Sequence, residues 1–372
     1  MRFGTFLFLA LPLAAAAQTK PVAARVDSVL ALMTLEELVG QTNQYNGFWN
    51  ATGPMPAGNE WVAGRVAALK RGGVGSVLNV AGVDEVRALQ KVAVEETRLG
   101  IPLIFGLDVI HGYQTLTPIP LAEAASWDLE AIKNSARAAA REATADGINW
   151  TFAPMVDISR DPRWGRVMEG AGEDPFLGSR IAEARVRGFQ GANLSDPTTL
   201  AACLKHFAGY GFAVAGRDYH TTDYSAHTLY NWILPPFEAG VKAGAATVMN
   251  AFSAANGIPA TGDSALVWGE LRRRMGFGGV LVSDWGSIGE MIPHGYARDL
   301  RDAAEARSAS EDRLHAELNA VTGAAEKEIA HLQRAVEETS AALHEARAAA
   351  AEHEEEHQLL QAQLDALKQR LG

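Results

Sequence analysis

The segment GGVLVSDWGSIGE, Gly278 to Glu290, carries an apolar run into a serine, an aspartate and a tryptophan before the chain turns polar and glycine-rich. Asp284 therefore stands where a buried strand gives way to a loop, with Trp285 beside it. That pairing suits a sugar, because indole stacks on the apolar face of a pyranose while a carboxylate approaches the anomeric carbon. Retaining glycoside cleavage uses one carboxylate as nucleophile and a second group as acid and then base, about 5 Å apart. On this segment alone, capping of the following turn is the other role open to Asp284.

Further polar residues stand at the ends of similar runs: Asp108 after PLIFGL, Asp157 after INWTFAPM, Lys205 and His206 in ACLKHF, and Asn250 in ATVMNAF. Arg163 and Arg166, in SRDPRWGRVMEGAGEDP, bring bidentate donors next to Trp164. Each has a plain alternative: Arg166 could pair with Glu169 or Glu173, and Lys205 with His206 could be a surface pair. Glu290, six residues beyond Asp284, is a second carboxylate able to reach the same rim.

The elements that must position these groups are strands over Gly73–Val80, Pro102–Asp108, Ile148–Met155, Ala202–Phe207, Ala246–Phe252 and Val280–Asp284. Between them lie helical patterns such as LEAIKNSARAAAREATADG and LGSRIAEARVRGFQG, each closed by glycine. Near-continuous apolar strands alternating with helices imply parallel pairing with both faces covered. A (β/α)8 TIM-like barrel builds its site at the C-terminal strand ends, where the polar residues cluster. Six strands are read where eight would close it, so the barrel is short of strands or some escape notice. A Rossmann-type sheet is the competing architecture, but no GxGxxG follows the first strand.

The 372 residues suffice for a substantial core, and the net charge of −11 argues against a nucleic-acid surface, which needs a basic patch. Arg2, an apolar stretch from Phe3 to Leu13 and small residues up to Ala17 have the layout of a secretory signal peptide over residues 1–17. A short membrane anchor is the alternative, although the apolar run falls below the roughly 20 residues a span requires. Export to the periplasm or medium is expected, with no membrane attachment after removal of the signal. Cys203 is the single cysteine, so no internal disulfide can form. From Arg298 onward there is no Pro, Trp, Phe or Tyr. Apolar residues there recur at alternating steps of three and four, including Leu314, Leu318, Val321, Ile329, Leu332 and Val336. Residues 301–372 thus read as a helical, coiled-coil-like tail able to self-associate; a solvated charged helix without a partner is the alternative.

Taken together, MTLEELVGQTNQ (Met33 to Gln44), IPLIFGLDVIHG (Ile101 to Gly112), RDPRWGR (Arg160 to Arg166), GEDP (Gly172 to Pro175), LKHFAGYG (Leu204 to Gly211) and VLVSDWGSIGEMIPHG (Val280 to Gly295) resemble glycoside hydrolase family 3, in particular its exported bacterial β-glucosidases. The resemblance covers roughly Ala24 to Leu300, in the family's order. It implies a barrel over residues 21–300 that acts on terminal, non-reducing β-linked glucose by retaining double displacement, without metal or organic cofactor. Asp284 matches the nucleophile. Asp108, Arg166, Lys205 and His206 match the residues that grip glucose hydroxyls, Trp285 lines the same subsite, and Met249 lies on a strand contributing to it.

In that family an α/β sandwich domain usually follows the barrel and supplies the acid/base glutamate. Here the resemblance fades near Arg301 to Arg307 and the heptad-patterned tail follows, so impaired turnover is expected, with Glu290 as a substitute acid/base. Asp218 and His220, in GRDYH, resemble the Asp-x-His pair of the family's single-domain exo-β-N-acetylglucosaminidases, an alternative reading. A non-catalytic sugar-binding or scaffolding barrel with a self-associating helix is another. A barrel without its covering domain exposes apolar surface. Sedimentation of the chain with and without residues 307–372 is expected to show association; an unchanged monomer in both forms would count against it.

Overall fold

The computed structural model describes residues 21–48 and 59–303. The expected signal peptide, and the expected tail beyond residue 303, lie outside the described residues. Four parallel strands come first, β1 (Gln44–Asn46), β2 (Ser76–Leu78), β3 (Ile104–Leu107) and β4 (Trp150–Thr151), paired in chain order. A second parallel sheet follows in the order β5 (Cys203–Phe207), β6 (Thr247–Asn250) and β9 (Val280–Val282); a small antiparallel hairpin, β7 (Ala254–Ala255) and β8 (Ile258–Pro259), lies between β6 and β9. Parallel bridges from Trp150 to Ala201 and from Met155 to Lys205 join the two sheets, and the Val156 amide donates to the Lys205 carbonyl at 2.8 Å.

The result is an α/β arrangement in which each parallel strand neighbours the next one along the chain. Helices fill the connections: α1 (Val22–Leu30) and α2 (Leu35–Thr42) before β1, α3 (Asn59–Lys70), α4 (Val83–Glu95), α5 (Pro120–Ala125) with α6 (Leu129–Ala145), and α7 (Pro175–Gln190). Between β5 and β6, α8 (Ala226–Thr228) runs through a π-helical turn into α9 (Leu234–Lys242). A π-helical segment, Ala265–Arg274, precedes β9, and α10 (Ser287–Glu290) follows it. All six strands read from the sequence are present, shorter than expected, and β1 is added to them. Among the described residues no pairing returns β9 to β1 and no eighth parallel strand appears, so the closed eight-stranded barrel is not among the described pairings.

Local chemistry explains the helix starts. Thr34 and Glu37 form a reciprocal capping box at α2, and Asp128 caps α6 through the Ala131 amide at 2.9 Å. The GEDP motif is a cap as well: Asp174 accepts from the Leu177 amide at 2.7 Å, and Pro175 occupies the first turn of α7. Helices α6 and α7 pack closely because Gly188 has no side chain; a Cβ there would lie 2.4 Å from the Lys133 carbonyl oxygen.

Strand alternation sorts the side chains. Leu204 and Val248 face the helices and join the main core with Phe105, Val186 and Phe237. Cys203 and Met249 lie on the opposite face with Trp150 and Phe152, against Leu78 and Val282. Lys205, two residues after Cys203, shares that face, which brings its charge to the top of the apolar cluster.

A buried ion pair ties α5 to α7. Arg185 and Glu123, with side chains 4% and 7% exposed, meet at 2.9 Å; Ser135 also donates to Glu123, and Arg185 reaches the Ile110 carbonyl just beyond β3. Removing one member leaves the other charge buried and unpaired, which costs about 3–5 kcal/mol. Arg185→Ala is accordingly expected to lower the urea-unfolding free energy by that amount, and a loss below 1 kcal/mol would show that Glu123 finds another donor or a proton.

Candidate active site

The ends of β3, β5 and β9 and the loop after β4 converge on one group of charges. Lys205 is 3% exposed, and its Nζ donates to Asp108 Oδ1 at 2.6 Å and lies 3.9 Å from Glu169 Oε2. Arg166 holds Glu169 with two hydrogen bonds, at 2.6 and 2.9 Å, and its guanidinium lies 5.4 Å from the centre of the Tyr210 ring. His206 is buried edge-on against Tyr210 at 4.9 Å between ring centroids. Its backbone nitrogen and its Nδ1 both lie 2.8 Å from Asp157 Oδ2. On the other side of the ring, Nε2 stands 3.5 Å from Asp284 Oδ2.

Asp284 stands two residues beyond the end of β9 and is 9% exposed. Its Oδ1 accepts the Trp285 amide at 2.7 Å, while its Oδ2 is buried without a hydrogen-bond partner among the described residues. Burial pushes its carboxyl up to about 6, against the opposing effects of the Trp285 amide, Lys205 and Arg166. Burial likewise raises Asp157 to about 7, against the His206 amide and Arg166. His206 is driven well below its ordinary value by burial, with Arg166 and Lys205 adding to the shift, so the ring is neutral. Glu169 goes the other way: burial would raise it, but the Arg166 hydrogen bonds and charge win and hold it low.

Asp108, Arg166, Lys205, His206 and Asp284 thus come together as the motifs anticipate. Trp285 is beside them and half exposed, its indole available to a ligand. Met249 is placed differently, in the apolar cluster with Trp150, Phe152 and Cys203 rather than among the polar groups. Arg163 turns away to pair with Asp161 at 2.6 Å on the surface. Among the described residues no hydrogen bond or ion pair joins Glu290 to the cluster, although the Tyr219 hydroxyl feels both Glu290 and Asp284. Asp218 accepts from Trp164 Nε1 at 2.9 Å and His220 Nδ1 meets Thr221 Oγ1 at 3.1 Å, so the two are not bonded to each other as a dyad.

Two members of the cluster receive no role from sequence reasoning. Asp157 stands out there only as a polar residue after an apolar run, and Glu169 only as a partner for Arg166. Tyr219 is a third addition: it is half exposed at a backbone φ of 61°, with its ring 4.4 Å from that of Phe252 and 6.4 Å from that of Tyr210. No signal in a single sequence separates it from other loop tyrosines.

Residues 34–351 match the glycosyl hydrolase family 3 N terminal domain. A periplasmic β-glucosidase of Salmonella typhimurium is 42% identical over 278 residues, covering 75% of this chain and 35% of the relative. A β-glucosidase of Listeria innocua, solved in complex with isofagomine, is 43% identical with a TM-score of 0.70, over 76% of this chain and 39% of that one. A β-glucosidase from Erythrobacter marinus is 30% identical with a TM-score of 0.68. The chain spans roughly two fifths of the length of these relatives. With motifs, strand-end cluster and family match in agreement, the chain belongs to glycosyl hydrolase family 3, of which it carries the N-terminal domain.

Proposed function

We propose that this chain carries the glycone site of an exported β-glucosidase and cleaves terminal, non-reducing β-D-glucosyl residues with retention. The seven parallel strands are then the arc of a (β/α) barrel. The observation that carries the reading is Asp284: a buried carboxylate at a strand end, with one oxygen unpartnered among the described residues and Lys205, Arg166 and His206 around it. The β-glucosidase names of the relatives support the substrate class, and the periplasmic name of the Salmonella protein supports export.

In this mechanism an Asp284 oxygen bonds to C1 of glucose as the bond from C1 to the leaving-group oxygen breaks, and that oxygen gains a proton. Water then adds to C1, the bond to Asp284 breaks, and the proton from water departs. Asp108, Arg166, Lys205 and His206 hold the hydroxyls, Trp285 offers an apolar face, and Met249 supports the subsite from beneath. Every step draws on side chains and water alone.

The acid is the weak part. Glu169 is held ionised by Arg166, and Asp108 is paired with Lys205. Glu290 at the end of α10, its carboxyl raised by burial, is the group assigned to donate the proton. Its separation from the cluster favours substrates whose leaving group needs no protonation, since general acid catalysis contributes about 10²- to 10⁴-fold. The chain is therefore expected to hydrolyse a nitrophenyl β-glucoside at least a hundredfold faster than cellobiose. Asp284→Ala should abolish that turnover, and trapping with a fluorinated glucoside should place the label on Asp284. Hydrolysis of neither substrate by folded protein would leave a non-catalytic sugar-binding module instead.

The nucleophile works only when ionised, and its burial places that ionisation at about 6. Ionised carboxylate prevails above that pH and is lost below it. The kcat/KM for the aryl glucoside should consequently fall about tenfold per pH unit below pH 6, whereas an ordinary aspartate would put the limb near pH 3.9. A flat profile down to pH 4 would rule out Asp284 as a buried nucleophile.

A further inference from the structure

The hydrogen bonds of His206 determine which of its ring nitrogens carries the proton. Asp157 Oδ2 lies 2.8 Å from both the backbone nitrogen and Nδ1 of His206. A backbone amide can only donate, so this oxygen already acts as an acceptor, and Nδ1–H fills its second lone pair. The far side of the ring agrees. An N–H facing a carboxylate closes to about 2.7–2.9 Å, yet Nε2 and Asp284 Oδ2 stand 3.5 Å apart. That oxygen is also without a hydrogen-bond partner among the described residues. Two acceptors turned toward each other account for both facts. The ring has little freedom to turn over, because Tyr210 packs against it and is itself held by Trp164 at 5.2 Å and Phe252 at 6.0 Å.

We propose that Asp157 is a positioning residue: it locks His206 in the Nδ1–H tautomer, so that Nε2 offers a lone pair beside Asp284 and accepts a hydrogen bond from one hydroxyl of the bound sugar. The sugar in this statement rests on the function proposed above; the tautomer does not. An acceptor fixed at this point admits a hydroxyl and leaves a methyl ether or a deoxy position without a bond to make. The charged groups around the ring, Arg166 and Asp157 after β4, Lys205 on β5 and Asp284 after β9, come from three separate segments, and the two cations oppose protonation of the imidazole.

Lys205–His206 is the one Lys–His dipeptide in the sequence. Labelling lysine carbonyls with carbon-13 and histidine with nitrogen-15 therefore assigns this residue uniquely in the NMR spectrum of the full chain. At neutral pH the Nδ1 resonance is expected to be that of a protonated nitrogen and Nε2 that of a lone-pair nitrogen. Asp157→Asn keeps an oxygen for both N–H groups and should keep the tautomer. Asp157→Ala should shift the ring to Nε2–H, and the KM for an aryl β-glucoside should rise about ten- to a hundredfold, the effect of an unpaired hydroxyl, with kcat changing less and Asp157→Asn recovering most of the loss. A wild-type ring protonated at Nε2, or an alanine variant that retains Nδ1–H, would overturn the assignment. The wild-type spectrum requires neither a variant nor turnover. The expected tautomer in a protein that hydrolyses nothing would thus remove the functional reading alone, and the wrong tautomer in an active protein would remove this one alone.

Discussion

Burial of two consecutive polar residues, Lys205 and His206, is the constraint around which the strand ends are arranged. Each is at most 3% exposed. Moving an ammonium out of water costs several kcal/mol unless counter-charges meet it at good geometry, and a buried imidazole needs partners for its ring nitrogens. Asp108 after β3 and Asp157 and Glu169 after β4 provide them, while Asp284 after β9 stands 3.5 Å from the remaining ring nitrogen. Three stretches of chain, far apart in sequence, are brought together by the requirement that these two side chains not be left unpaired.

That arrangement divides the carboxylates by environment rather than by type. Glu169 lies under the Arg166 fork and stays ionised, whereas Asp157 and Asp284 make fewer charge-assisted contacts and are pushed upward by burial. The same pair of cations therefore has unequal effects, strong where a bidentate bond is made and weaker where only the field reaches. A site that needs one carboxylate to grip and another to react obtains the difference from geometry alone.

Much of this was legible in the residues. Strand ends carrying Asp108, Lys205, His206 and Asp284 could be found because an apolar run stopping at a charge is a local pattern, and those four side chains do meet. The six apolar strands were visible for the same reason. Strand β1 was not, since Gln44–Asn46 is a single aromatic between two amides, with no apolar run to announce its pairing with β2. Asp174 stood in one of the motifs that carry the family resemblance, and its observed bond is a helix cap. Asp157 was visible only as a polar residue after an apolar run and Tyr219 escaped, because their importance lies in what they touch across long sequence separations, which neither periodicity nor spacing encodes. Met249 has the reverse history: the family resemblance put its strand at the site, but its own side chain packs in the apolar cluster with Trp150, Phe152 and Cys203.

Asp284 is carried by β9, and among the described residues β9 has a neighbour on one side only, β6. Val280, at the start of that strand, is 58% exposed. A strand clamped along one edge resists sliding far better than it resists tilting about the line of its bonds, and a tilt at Val282 is magnified at the aspartate two residues on. Since about 1 Å of misplacement can cost 10²-fold in rate, the sharpness with which this carboxylate is aimed would depend on whatever segment lies along the other edge of β9. The aim of Asp284 is thus a mechanical property of the sheet margin as much as a chemical property of its pocket.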